Sequence, residues 1–368
     1  MTIRLNVPSI ADEDIAAVAE VLRTGFLVQG RRVAEFEEAV AKYLGVDYSV
    51  AVSNCTAALY LSLQALGTAR GDRVAVTAYS WPATANAIEL LGAEPVFIDI
   101  DARTFNIDAS RLEAVVRRGG IKAILPVHAF GGIADMDAIV RIGDRSGVHV
   151  LEDAACAIGA DLNGRKAGSW GTLSCFSFHP RKAITTGEGG IVAGNDPALI
   201  RRLRILRNHG QDPDAISPDF VEPGHNMRLT EFQAALGTVQ LTKLERIIDA
   251  RRVAAQRYKA LLQAGPMTSP KSQLGSRHVY QSYVVLLPPE VAPRRGALIS
   301  ALREQGIETT IGTYHIPMTR YYRSKYGHQT GDFPVTDDVN ARALSLPLSE
   351  GLTADEQIRV VTAISAML

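Results

Sequence analysis

Apolar residues recur at helical spacing over Asp12–Arg23, where Ile15, Val18, Val21 and Leu22 share one side, and again over Arg32–Leu44. Beyond them, short apolar runs alternate with helical patterns. Strands are predicted at Tyr48–Val52, Arg73–Thr77, Val96–Ile100, Ala123–Pro126, Val148–Glu152, Leu173–Phe178 and Ile191–Ala193. Helices are predicted at about Thr56–Leu66, Thr84–Leu91, Asp135–Ser146 with Asp135 as its N-cap, Pro197–Asn208 and Thr230–Ala260. This alternation is the signature of an α/β fold with a largely parallel sheet. After about residue 260 the texture changes: Pro and Ser rise around Gly265–Ser276, and a smaller α/β segment runs from His278 to a final helix near Ala354–Met367. We therefore expect a large domain, 1–248, and a small C-terminal domain, 249–368, divided on the long helix near Ile248.

Composition narrows the function classes. Of 368 residues, 46% are hydrophobic and 21% charged, which is ordinary for a chain with a sizeable core. The 39 basic residues balance 39 acidic ones, so no excess of positive charge points to nucleic acid. Cys55, Cys156 and Cys175 are too few and wrongly spaced for a disulfide framework or a metal site, and they fit a reducing cytoplasm. Asp12, Glu13 and Asp14 stand where a signal peptide needs apolar residues, and no uninterrupted apolar stretch is long enough to span a membrane.

Four segments place chemically useful residues at predicted strand ends, where open α/β sheets collect ligands. VHVLEDAACAIGA brings Asp153 to the edge of a strand; alone, that acid reads more readily as a helix N-cap. SCFSFHPRKAITTGEGG delivers Lys182 into a loop rich in Thr and Gly, where a plain surface lysine is the competing reading. Its neighbour Arg181 is a second cation, but a guanidinium forms no Schiff base. Gly187, Gly189 and Gly190 allow a tight turn or a close cofactor approach. AVSNCTAALYL runs a strand into a helix start whose free amides suit an anion such as phosphate, or form an ordinary cap. YSWPATANAI offers Trp81 as a plate for a planar ring or as core. A carboxylate, a lysine, a phosphate cradle and an aromatic plate are together the parts of a pyridoxal 5'-phosphate (PLP) site.

Over nearly its full length the chain resembles the DegT/StrS family of PLP-dependent sugar aminotransferases. LVQGRRVAEFEEAVAKYLGV, LEDAACAIGA, SFHPRKAITTGEGG, HNMRLTEFQAALGTVQL and GDFPVTDDVNARALSLPL carry the resemblance. It implies a fold-type I transferase, with a mixed, mostly parallel sheet flanked by helices, working as a homodimer with shared active sites. It implies that Lys182 binds PLP covalently, that Asp153 pairs with the pyridine nitrogen, that Thr56, Ala57 and Ser177 hold the phosphate, and that Trp81 covers the ring. Asn226 would reach the phosphate of the neighbouring subunit. His179, Arg228, His315 and Arg320 would face substrate, with Lys325 as a further cation for a pyrophosphate.

The resemblance further implies ping-pong transamination with L-glutamate as donor. The loop KAITTGEGG is similar to that of enzymes aminating C4 of a nucleotide-linked 4-keto-6-deoxy sugar. A keto-cyclitol or a C3-keto sugar is the alternative acceptor, and a non-catalytic PLP-binding regulator the remote one. Several positions depart from the family pattern: Cys55 stands for Gly, Cys156 for Gln or His, Gly132 for Gln, His225 and Met227 for aromatics, and Thr319 for His. All lie in loops expected to shape the substrate pocket.

Overall fold

The computed structural model describes residues 2–263 and 265–368. Its centre is a seven-stranded sheet of β1 (Tyr48–Val52), β2 (Arg73–Thr77), β3 (Glu94–Ile98), β4 (Ala123–Leu125), β5 (His149–Asp153), β6 (Leu173–Ser177) and β7 (Gly190–Gly194). They lie in the order β1-β7-β6-β5-β4-β2-β3. Only β7 runs against the rest, so the sheet is mixed and mostly parallel. Each strand falls where its apolar run predicts, with ends displaced by at most two residues.

These strands read as near-continuous apolar runs because both faces of the sheet are covered. Eight helices precede residue 263: α1 (Asp12–Thr24), α2 (Arg31–Leu44), α3 (Cys55–Ala65), α4 (Ala83–Leu90), α5 (Ala109–Val116), α6 (Met136–Ser146), α7 (Pro197–Arg207) and α8 (Glu231–Leu262). One face packs against α2, α5, α6 and the first half of α8, through residues such as Phe36, Leu112, Ile139 and Ile247. The other packs against α3, α4 and α7, through Leu59, Ile88 and Leu203. Asp135 caps α6 as expected, accepting a hydrogen bond from the Ala138 amide.

A smaller antiparallel sheet joins β8 (Tyr283–Leu286), β9 (Thr310–Ile311) and β10 (Ala343–Leu346), with β10 central. It shares a separate core with Ala254, Ala255, Tyr258 and Leu262 from the second half of α8. Core membership therefore changes along one helix between Ile248 and Ala254. Ile3 from the N-terminus also belongs to this smaller core. A two-residue strand, Tyr79–Ser80, pairs with Tyr314–His315 and ties the smaller sheet to the loop after β2.

The helical spacing of α1 suggests that one side is buried, and the structure differs. Val21 is buried, yet Ile15 is 60% and Leu22 52% exposed. With Ile10, Val18 and Leu236 they line a shallow apolar depression on the surface. The amphipathic pattern is real, but within one chain little covers it.

Candidate active site

The carboxyl ends of β1, β5 and β6 open into one cavity of about 1170 Å³. Such an edge is where parallel strands bring loop residues together. Thr56, Trp81, Asp153, Cys156, Ser177 and Lys182 line it, so four separate sequence signals converge on one space.

Asp153 is the last residue of β5 and is 3% exposed. Its carboxylate accepts hydrogen bonds from Thr84 Oγ1 at 2.8 Å and from the Ala155 amide at 3.2 Å. Both donors are neutral. Burial pushes the Asp153 carboxyl above its ordinary range, against the opposing pull of Thr84. A buried acid in that condition is stabilised by a cation placed before it, and a protonated ring nitrogen is one. Thr84, on α4, is itself held by Ser80 Oγ at 3.0 Å. Nothing in the spacing of YSWPATANAI singles Thr84 out as the positioning partner of Asp153; only the packing of α4 on the sheet does.

The adjacent Glu152 points elsewhere, as strand alternation requires. It accepts from the amides of Gly168, Trp170 and Gly171 at 2.7–2.8 Å and pairs with buried His128 at 2.9 Å. Burial pushes its carboxyl up, but His128 and these amides outweigh that and hold it below its ordinary value. This network anchors the end of β5 and so fixes the aim of Asp153.

Lys182 lies in the loop between β6 and β7, and its Nζ donates to Cys156 Sγ at 3.0 Å. A lysine in a low-dielectric site is expected to lose its proton more easily. Here burial does push it down, but Cys156, Cys55 and Asp153 outweigh burial and raise its proton affinity. Two glycines let the loop form. Gly187 takes φ +82°, and a Cβ on Gly190 would sit 2.6 Å from the Asn54 carbonyl group. Gly190 thus lets β7 pass directly beneath the start of α3.

At that start Asn54 is the N-cap and engages the Ala57 amide at 2.8 Å. The amides of Cys55 and Thr56 precede the first helical hydrogen bond and face the positive end of the helix dipole. Ser177 closes the cradle from the end of β6. An anion placed here would meet the amides of Thr56 and Cys55 more readily than the Ala57 amide, which Asn54 occupies. Trp81 stands at the cavity wall, 59% exposed, with Tyr314 edge-on at 5.3 Å.

The fit of these residues to PLP agrees with what known proteins show. The profile of the DegT/DnrJ/EryC1/StrS aminotransferase family matches residues 8–365. The chain belongs to this family. It is 40% identical to the GDP-perosamine synthase of Caulobacter vibrioides over 342 residues, covering 92% of this chain and 91% of that protein. Its structure is similar to Helicobacter pylori PseC, an aminotransferase involved in the biosynthesis of pseudoaminic acid. The TM-score there is 0.93 at 28% identity, with 99% of this chain and 98% of that one covered. It is similar also to the putative sugar aminotransferase Spr1654 of Streptococcus pneumoniae in its PLP form, with TM-score 0.94 and 25% identity, covering 100% and 98%. The same protein is known in a PMP form. The chain is thus an aminotransferase, and its fold is that of PLP-dependent transferases.

Not every residue assigned by the DegT/StrS resemblance reaches the cavity. Asn226 is exposed and bridges to Asn208, outside the cavity of its own chain. Arg228 lies apart too: its guanidinium donates to Asn208 Oδ1 at 2.5 Å. His315 does not line the cavity: it is buried, edge-on to Phe333 and bonded to Asp337 at 3.1 Å, and burial lowers its proton affinity. Arg320 begins a short exposed helix away from the cavity, and Lys325 on that helix is paired with Glu89. His179 does line the cavity, facing Glu188 at 3.9 Å. The cation that lines the cavity beside it is Arg181, exposed at the wall. The sequence marks it only as the residue next to the lysine. Among the described residues no cluster of metal-ligating side chains occurs, and no helix is long and apolar enough to cross a membrane.

Proposed function

We propose that this enzyme is a PLP-dependent sugar aminotransferase that moves an amino group from L-glutamate to C4 of a nucleotide-linked 4-keto-6-deoxy sugar. The single observation that carries the reading is the meeting of Lys182, Asp153 and the α3 amide cradle in one cavity. PLP, once bound, supplies an electron sink for the α-carbanion. Lys182 would hold the cofactor covalently, and its amine, once free, would take and return the proton of the donor's α-carbon. Asp153 would hold the ring nitrogen protonated, Thr56, Cys55 and Ser177 would bind the phosphate while the Ala57 amide stays with Asn54, and Trp81 would cover the ring.

The likeness to a GDP-perosamine synthase supports a nucleotide-linked acceptor, and the KAITTGEGG loop favours C4. A direct test offers the purified enzyme glutamate with a nucleotide-linked 4-keto-6-deoxy sugar, a 3-keto sugar and a keto-cyclitol. Amination at C4 of the first, located by NMR, is the expected result. Turnover of either other acceptor alone would move the assignment to the C3 or cyclitol reading.

Arg181 is proposed as the residue that meets the acidic group of the substrate. Replacing Arg181 by alanine should raise the KM of the nucleotide sugar about tenfold while kcat changes little, since a ground-state contact is lost. A fall in kcat at unchanged KM would place Arg181 in the chemical step instead.

The working unit is proposed to be a homodimer. The uncovered apolar face of α1 and the exposed position of Asn226 support it, since a second copy would bury the first and receive the second. Residues 1–248 would form the cofactor-binding domain and 249–368 the smaller domain, supported by the change of core along α8. The proposed setting is the cytoplasm.

A further inference from the structure

Cys156, one of the departures from the pattern that the DegT/StrS resemblance implies, touches the reactive lysine. The two side chains are 26 positions apart in sequence, yet Sγ and Nζ approach to 3.0 Å on the wall of an open cavity. Cys156 is the only hydrogen-bond partner of this amine among the described residues. A thiol beside a cation and open to solvent is the kind most readily oxidised. The other two thiols differ. Cys175 is fully buried against Ser62, and Cys55 lines the cavity without a hydrogen bond to the amine; burial pushes both above the ordinary thiol range.

We propose that Cys156 and Lys182 form a reversible covalent cross-link when the protein meets a peroxide. Hydrogen peroxide delivers one oxygen to Cys156 Sγ, giving a sulfenic acid and water. The Lys182 ammonium gives a proton to water, and the amine so formed then attacks the sulfur. The S–O bond breaks, an S–N bond forms, and hydroxide leaves as water with a proton from the nitrogen. Sulfenic acids condense with nitrogen in this way when one is held close. Two equivalents of an external thiol reverse the step, restoring the thiol and the amine and leaving as a disulfide. No backbone movement is needed to start, because the reacting atoms are already in contact. The consequence for activity rests on the proposed function: a lysine tied to sulfur has no amine for the cofactor, and a lysine already joined to the cofactor is shielded from the sulfur.

The test treats the full-length protein, as purified with its cofactor, with hydrogen peroxide in two arms, one with glutamate and one with excess PLP. Trypsin then separates residues 146–165, which hold Cys156, from 182–201, which begin with Lys182. The expected result in the glutamate arm is a peptide joining these two segments, about 2 Da lighter than their sum, because one hydrogen leaves each partner. It should vanish on adding dithiothreitol and be absent from Cys156→Ser. Activity should fall in proportion to the linked fraction and return with the thiol. Oxidation of Cys156 only to sulfinic acid, or its pairing with Cys55, with no joined peptide in either arm, overturns the proposal. A joined peptide formed equally in both arms upholds the link but counts against Lys182 as the cofactor's anchor, so the two readings fail separately.

Discussion

Replacing Lys182 by alanine is expected to abolish turnover, by roughly 10⁴-fold or more, because in the proposed function one side chain supplies both the covalent attachment and the proton carrier. The fold should survive. Lys182 is in a loop between β6 and β7, its one polar partner is Cys156, and no core packing depends on its amine. The Asp153 carboxylate and the amides at the start of α3 remain, so the variant should still hold the cofactor without a covalent bond. The check is threefold: activity, the circular dichroism spectrum, and retention of label after borohydride reduction. Borohydride-stable label on the Lys182→Ala variant would contradict the assignment, as would activity within tenfold of the parent enzyme.

The second large effect is expected at Asp153. The Asp153→Asn change keeps shape and the Thr84 contact but removes the charge proposed to hold the ring nitrogen protonated. Preorganised electrostatic groups of this kind are each worth about 10²–10³ in rate. Turnover should fall by that factor, while cofactor content falls far less, because the phosphate cradle and Lys182 are untouched. Burial strengthens the argument, since a charge pair acts more strongly in a low-dielectric site than in water. Thr84→Val should follow in the same direction with a smaller effect, having lost only the donor that aims the carboxylate. Normal turnover in Asp153→Asn would remove Asp153 from this role and leave its burial at the end of β5 unexplained.

Asp153 and Lys182 are legible in the chain because the strand runs before them are long, apolar and closed by small residues. Strand direction then places both at one edge of the sheet without any knowledge of packing. The same logic makes the α3 cradle visible: a strand followed by Ser53, Asn54 and Thr56 leaves amides free at a helix start. It does not show that Asn54 takes the Ala57 amide for itself, since that depends on the rotamer of the cap. Contacts between distant segments are not legible by this route. Thr84 meets Asp153 across 69 positions, and His128 meets Glu152 across 24, through the packing of helix and loop on the sheet.

Cations illustrate the limit best. Arg228, Arg320 and Lys325 are indistinguishable from Arg181 by residue type, yet Arg228 is bound to Asn208, Lys325 is paired with Glu89, and Arg320 points from a surface helix. Long flexible side chains are committed by their neighbours, and periodicity carries no record of those neighbours. His315 lies off the cavity for the same reason, since Asp337 and its own burial claim it. The exposed side of α1 shows the converse case. Its apolar pattern is correctly read, but a single chain does not contain the surface that would cover it.

In the proposed function Lys182 carries PLP in a site that accepts an amino group from glutamate. That role is tested most directly by the absorbance spectrum of the purified protein before and after glutamate is added. The account predicts a visible band from the lysine-bound cofactor that bleaches as the cofactor takes up the amine and returns when a keto acceptor is supplied. A protein that shows no visible band even after PLP is added, or a band that glutamate and other amino donors leave unchanged, would contradict it.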